Sequence, residues 1–301
     1  MKAIYKIMFF FSLALTIAAV SAVVVFGLNL GVDFKGGSVM ELNFRNERPD
    51  IEDLRKAISD WTAFKDAVFS PAGENGLLIK GGEISEQTHQ EVIQKIAAAF
   101  PSAGLEEQKF DSVGPVIGSE LKRKSVSAIF LVLAAIIVYI AIVFRKLSRT
   151  ISGWAMGLAA VVALLHDMLI PVGVFAFLGQ YYGVEISAVF VAAVLTILGY
   201  SVSDTVVVFD RVRENIIKQG VGERGEGFGA VVHKSILQTL TRSLNTTFTT
   251  LLSLVAIYLF GGESIRFFAL ALIMGIFLGA YSSIFVASPL LIWWNRRTGR
   301  R

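Results

Sequence analysis

Residues Val189–Asn215 read VFVAAVLTILGYSVSDTVVVFDRVREN. Apolar residues dominate up to Gly199, and then Ser201, Ser203 and Asp204 interrupt a segment that stays hydrophobic through Thr205–Phe209. Only Asp210, Arg211, Arg213 and Glu214 look like a water-facing end. On a helix, Asp204 therefore lies about two turns, roughly 10 Å, inside that boundary. An ionised, unpaired carboxylate at such a depth costs several kcal/mol, so Asp204 must pair, take up a proton or line a wet cavity. The rest of the chain is read outward from this residue.

Of the 301 residues 54% are hydrophobic, with 27 Gly and 23 Phe, which is the composition of an integral membrane protein. The absence of cysteine excludes disulfides and thiolate metal sites. The net charge of +4 gives no sign of a nucleic-acid partner, and in a lipid bilayer the placement of basic residues matters more than their sum. Ile7–Leu28 carries no charge and is long enough to span. Ala18–Ala22 (AAVSA) has the small residues of a cleavage site, but the apolar run exceeds that of a signal peptide, so an uncleaved first helix (1–28) is expected.

Residues 29–124 are polar and predict a folded α+β domain. Val39–Phe44 alternates like a strand, and Asp50–Trp61 has helical spacing behind an N-cap-like Asp. Ala67–Ser70 and Leu77–Lys80 flank the turn-rich Pro71–Gly76, Ser85–Phe100 is an amphipathic helix, and Leu105–Val113 is a last strand. The order βαββαβ is ferredoxin-like. His89, on the polar helix, is expected to be solvated.

Further spans are expected at Val126–Phe144, Ile151–Leu178, Ile186–Phe209, Thr241–Phe260 and Phe267–Trp294, followed by a basic tail at 295–301. The predicted fold is thus a six-helix all-α membrane bundle with a small ferredoxin-like α+β domain between its first two helices. Lys2, Lys6, Arg145, Lys146, Arg149, Arg211, Arg213, Lys218, Arg224, Lys234, Arg296, Arg297, Arg300 and Arg301 fall on one side by parity, which puts both termini in the cytoplasm. Lys122–Lys124 violates the pattern and is assigned to a long translocated loop. One soluble insertion followed by five spans is the layout of half a duplicated transporter.

Several intramembrane polar residues could serve Asp204. In Ser235–Ser253, Gln238, Arg242, Asn245, Thr246, Thr249 and Ser253 share one helical face. Arg242 is the candidate cation: it keeps its own proton, so it would bias Asp204 electrostatically; the alternative is that it snorkels to the headgroups. His166–Asp167 lies mid-span, and a relay or interhelical hydrogen-bond role weighs evenly there against a purely structural one. A metal-phosphohydrolase reading fails because His89 and His233 are the only other histidines. Gly31–Ser38 (GVDFKGGS) lacks a phosphate-loop pattern; with Asp33, Gly36 and Gly37 it reads as a hinge or docking turn. Pro171 is expected to kink the third span, and Gly275 and Gly279 to allow close packing of the sixth. No nucleophile–base pair, metal cluster or cofactor loop survives, so an enzyme is not expected.

GVDFKGG (31–37), SVGPVIGSEL (112–121), LLHD (164–167), SVSDTVVVFDRVREN (201–215) and SILQTLTRSL (235–244) resemble the signature segments of the SecF branch of the bacterial SecD–SecF export family, part of the RND superfamily of proton-driven transporters. The family's usual SVNDT has Ser203 in place of Asn here. The resemblance implies an RND-type half-transporter, multi-pass in the bacterial cytoplasmic (inner) membrane, that promotes late preprotein translocation with the proton-motive force and no bound cofactor. It implies SecD as heteromeric partner, SecYEG and YajC as further associates, and an unfolded preprotein as substrate. By position, Asp204 and Arg242 take the proton-coupling role, supported by Ser201, Ser203, Thr205, His166, Asp167, Gln238, Asn245 and Thr246. The choice of proton over sodium rests on the resemblance alone. Two other readings stay open: an independent exporter of a small molecule or lipid, and an assembly factor without ion coupling.

Overall fold

The computed structural model describes residues 3–145, 152–219 and 227–298. Lys2, Lys146, Arg149, Arg224, Arg300 and Arg301, invoked above for orientation, lie outside the described residues.

Two compact units are present, one comprising Met1–Asn29 with Ser127–Arg301 and the other Leu30–Val126. In the smaller unit, strands β1 (Gly37–Phe44), β2 (Val68–Ala72), β3 (Gly76–Gly81) and β4 (Leu105–Val113) form one antiparallel sheet in the order β2-β3-β1-β4. With helices α3 (Ile51–Ala57) and α4 (Glu86–Ala99) as crossovers, this is the ferredoxin-like topology. A single helical turn, α2 (Val32–Lys35), precedes β1. Period-two alternation puts Met40, Leu42 and Phe44 of β1 and Leu77 and Ile79 of β3 on one face, all fully buried against Leu54, Ile58, Val92 and Ile96 from the helical layer. Asp50 caps α3 by accepting from Glu52 N, and Ser85 caps α4 by accepting from Thr88 N.

His89 departs from expectation. It is 2% exposed, stacked on Phe110 at 3.8 Å, with Nδ1 3.2 Å from Glu86 Oε1 and Nε2 2.8 Å from Glu107 Oε1. An imidazole on an otherwise polar helix face is buried because β4 supplies both an aromatic plate and a carboxylate. Hydrogen bonds from Gln90 and then His89 hold the Glu86 carboxyl below the usual carboxylate range.

Phe44→Ala should destabilise this unit by about 3–5 kcal/mol, the cost of emptying a closed aromatic site. The rate of proteolysis within residues 30–126 of the full chain measures it; an unchanged rate would mean that Phe44 is not part of a packed core.

Among the described residues, six helices are long and apolar enough to cross a membrane. They are α1 (Ala3–Phe26), α5 (Pro115–Val143), α6 (Gly153–Tyr182), α7 (Ala188–Gln219), α8 (Phe228–Phe260) and a sixth span made of α9 (Glu263–Ser282), a π-helical turn (Ser283–Ala287) and α10 (Ser288–Thr298). The helices overrun the hydrophobic segments: α5 starts at Pro115, so Lys122–Lys124 is on a helix and not in a loop, and α8 starts well before Thr241. Pro171 is accommodated inside α6, which continues past it. α6, α7 and α9 form the centre, with α1 packed on α6 and α8 on α7 and α9. The G-x-x-x-G pair of α9 faces α7: a Cβ on Gly275 would sit 2.3 Å from Ile197, and one on Gly279 3.0 Å from Ser201 Cβ.

Candidate functional site

α7 carries Asp204 into the bundle, where it is 9% exposed and its Oδ2 accepts a 2.9 Å hydrogen bond from Ser243 Oγ of α8. The partner is one residue from the expected Arg242. α8 presents two polar stripes: Ser235, Thr239, Ser243 and Thr247, at steps of four, are buried. Gln238, Arg242, Asn245, Thr246, Thr249 and Ser253 are all exposed in this chain. Neighbouring residues on a helix point about 100° apart, so choosing the wrong stripe displaces the whole polar face. Arg242 makes no ion pair among the described residues and lies on the exposed stripe.

The other expected residues divide between three places. Gln238 accepts from Arg211 Nε at 2.8 Å and from Asn215 Nδ2 at 2.9 Å, and Asn215 also reaches Ser235 Oγ at 2.8 Å. These contacts clamp the DRVREN end of α7 to α8. Ser203 is exposed, whereas Thr205 is buried, with its hydroxyl unpartnered among the described residues. Thr246 turns its hydroxyl back to the Arg242 carbonyl.

Ser201 does not join Asp204; it donates to Asp167 Oδ2 at 2.5 Å. Asp167, on α6, is fully buried and gathers partners from three helices. Ser282 of α9 donates to the same oxygen at 2.7 Å, and His166 Nδ1 lies 2.9 Å from Oδ1. The His166 ring stacks on Tyr281 at 6.2 Å, whose hydroxyl donates to Met8 O and accepts from Ser12 Oγ. The π-turn begins directly after Ser282, and Ser288 donates to Ser283 O. Such turns are frequent at functional sites.

Ser243, Ser282, Tyr281 and Asn215 were not picked out from the sequence. The buried α8 stripe was detectable as a second i, i+4 hydroxyl series. Ser282–Ser283, two adjacent serines in an apolar span, carried no comparable signal.

In the smaller unit, Gly36 and Gly37 have φ of 83° and 131°, which favours glycine. A Cβ on Gly36 would lie 2.9 Å from the backbone of Pro115, and one on Gly37 2.7 Å from Gly81 O. The turn is therefore close-packed against the start of α5 and the end of β3. Asp33 sits half-buried in the first turn of α2. Among the described residues no group of His, Cys, Asp and Glu could hold a metal ion.

A six-helix membrane bundle with a ferredoxin-like insertion, buried carboxyls and an exposed polar helix face defines half of a two-part transporter. Comparison with known proteins places this half. Residues 92–297 match the family described as protein export membrane protein SecD/SecF, C-terminal, and residues 21–47 match the SecD/SecF GG motif. The protein translocase subunit SecF of Thermobaculum terrenum is 41% identical over 297 residues, covering 95% of this chain and 90% of that protein. The protein translocase subunit SecDF of Brucella abortus is 37% identical, covering 94% of this chain and 36% of the other. The crystal structure of SecDF, a translocon-associated membrane protein from Thermus thermophilus, superposes with a TM-score of 0.79 at 34% identity, covering 97% of this chain and 38% of that one. The chain belongs to the SecD/SecF family.

Proposed function

We propose that this chain is an accessory subunit of the Sec export machinery that works with a SecD partner and couples the proton gradient to late preprotein translocation through Asp204. The observation that carries this reading is a buried carboxyl on α7, held by one hydroxyl from α8, beside an outward α8 face rich in hydroxyl, amide and guanidinium groups. Such a face is costly against lipid tails and calls for a second protein half. The fused SecDF relatives, in which the matched region is about a third of a longer chain, support SecD as that half. Arg242 then acts at the junction as a fixed charge, with Asn245 and Thr246 beside it, while Ser201, Thr205, His166 and Asp167 line the interior. Ser203 and Gln238 flank the α7 segment.

The unit Leu30–Val126 lies outside the inner membrane, with Gly36–Gly37 as its hinge, and both termini lie in the cytoplasm. SecYEG, YajC and an unfolded preprotein complete the set of partners; the role is not enzymatic, and the gradient is the energy source.

One charge crossing about 100 mV yields about 2.3 kcal/mol, and one pH unit adds about 1.4. Throwing a two-state element from 1:99 to 99:1 takes about 5.5 kcal/mol. One proton under those gradients biases such an element, and two complete the switch.

Inverted vesicles lacking the native chain test this function. Adding the chain with its partner should restore a gradient-dependent completion of preprotein transit after ATP is removed, and an ionophore should abolish it. Completion that ignores the ionophore would sink the coupling and favour an assembly factor; transport of a solute without SecYEG would favour an exporter.

A further inference from the structure

We infer that Asp167 is a second proton-carrying carboxyl, separate from Asp204 and loaded through His166. The inference rests on the proton-coupled reading above and adds a site to it.

The geometry suits a group that exists in two charge states. When ionised, Asp167 accepts from Ser201 and Ser282 on Oδ2 and from His166 Nδ1–H on Oδ1, so each oxygen of a fully buried carboxylate faces a donor. When the proton sits on Oδ1, the acid donates back to the lone pair left on Nδ1 while Oδ2 goes on accepting from Ser201 and Ser282, so no donor is stranded. Ser282 also has a second acceptor, Gly279 O at 3.2 Å, so its hold on Oδ2 loosens as the charge is lost. A purely structural knot would be served by asparagine, without the cost of a buried acid.

His166 supplies the entry. Its Nε2 is buried and has no hydrogen-bond partner among the described residues. With Nδ1–H facing the carboxylate, Nε2 holds the lone pair. One proton taken up at Nε2 and one passed from Nδ1 to Asp167 Oδ1 leave a neutral ring with its tautomer exchanged and a neutral acid. The reverse transfers return the proton.

The surroundings hold few competing charges. Of the elements packed on α6, α9 brings Tyr281 and Ser282, the π-turn brings Ser283, and α1 brings Ser12 near Tyr281, with Tyr5 and Lys6 only in its first turn. α10 brings Arg296 and Arg297 only in its last turn. α7 brings Ser201 and, three residues on, Asp204, the other buried carboxyl. Two proton-carrying carboxyls provide the second proton that a complete switch requires. Because Ser201 and Ser282 belong to α7 and α9, the charge on Asp167 changes what ties those two helices to α6.

The test is pH-difference infrared spectroscopy of protonated carboxyl groups, on the complex with its SecD partner. Subtracting the Asp204→Asn/Asp167→Asn spectra from those of Asp204→Asn should isolate one carboxyl band that rises and falls with pH. Identical spectra at every pH overturn the inference. If the double variant fails to assemble, Ser282→Ala in the Asp204→Asn background replaces it. Losing one donor to the ionised form should move the band's midpoint by about one pH unit, and an unmoved midpoint also overturns the inference. Failure of the Asp204 reading shows separately, as a wild-type minus Asp204→Asn difference with no titrating band.

Discussion

Asp204→Asn should cut gradient-driven export at least tenfold, to the level of membranes lacking the chain, while the complex is recovered intact. Asparagine keeps the size of the side chain and still accepts from Ser243, so packing and the α7–α8 contact survive. What it removes is the ability to alternate between charged and neutral forms. A proton under typical gradients biases a switch by about 3.7 kcal/mol, several hundredfold in an equilibrium, so a complex left with the Asp167 proton alone falls short of the about 5.5 kcal/mol that complete switching takes. Asp204→Glu retains the chemistry in a longer side chain and should keep partial activity. Export is measured as completed preprotein per chain with and without ionophore. Wild-type, ionophore-sensitive export by the Asn variant would make Asp204 structural.

Gly173→Val should prevent the first helix from seating. A Cβ at residue 173 would lie 2.5 Å from Ala19 Cα and 2.6 Å from Ala19 O, so the obstacle is the backbone of α1 and not a movable side chain. Overpacking usually costs about 1–3 kcal/mol, and a backbone-to-backbone clash belongs at the top of that range or above it. The expected result is a lowered thermal unfolding midpoint of the purified chain in detergent and poor recovery. Gly199→Ala is the control: nothing lies within 4 Å of its Cβ, and alanine is the better helix former by up to about 1 kcal/mol. Equal midpoints for the two variants would mean that α1 and α6 are not in the contact seen here.

The six spans, the ferredoxin-like insertion and the burial of an acid at Asp204 were all legible in the linear pattern. Runs of apolar residues the width of a bilayer, alternation at Val39–Phe44 and an acid amid valines each carry their own physical signal. The helix ends were less legible, because α5, α7 and α8 continue as helices beyond the hydrophobic thickness, where propensity rather than hydropathy sets the boundary. His89 was misjudged for a related reason: the polar face of an amphipathic helix says nothing about Phe110 and Glu107 arriving from a strand eighteen residues on.

The polar centre divides along the same line. Hydropathy identified which residues could not face lipid, since that cost depends on a residue and its immediate neighbours alone. Which of them meet depended on helix rotation and approach, set by packing such as Gly275 against Ile197 and Gly279 against Ser201. α8 had polar stripes on two faces, and only its seating on α7 put Ser243, rather than Arg242, against Asp204. Asp167 looked like half of a His–Asp dipeptide until Ser201 and Ser282, 34 and 115 residues away, closed around it. Local chemistry marks a membrane residue as costly, whereas its partner is chosen by contacts between helices far apart in the chain.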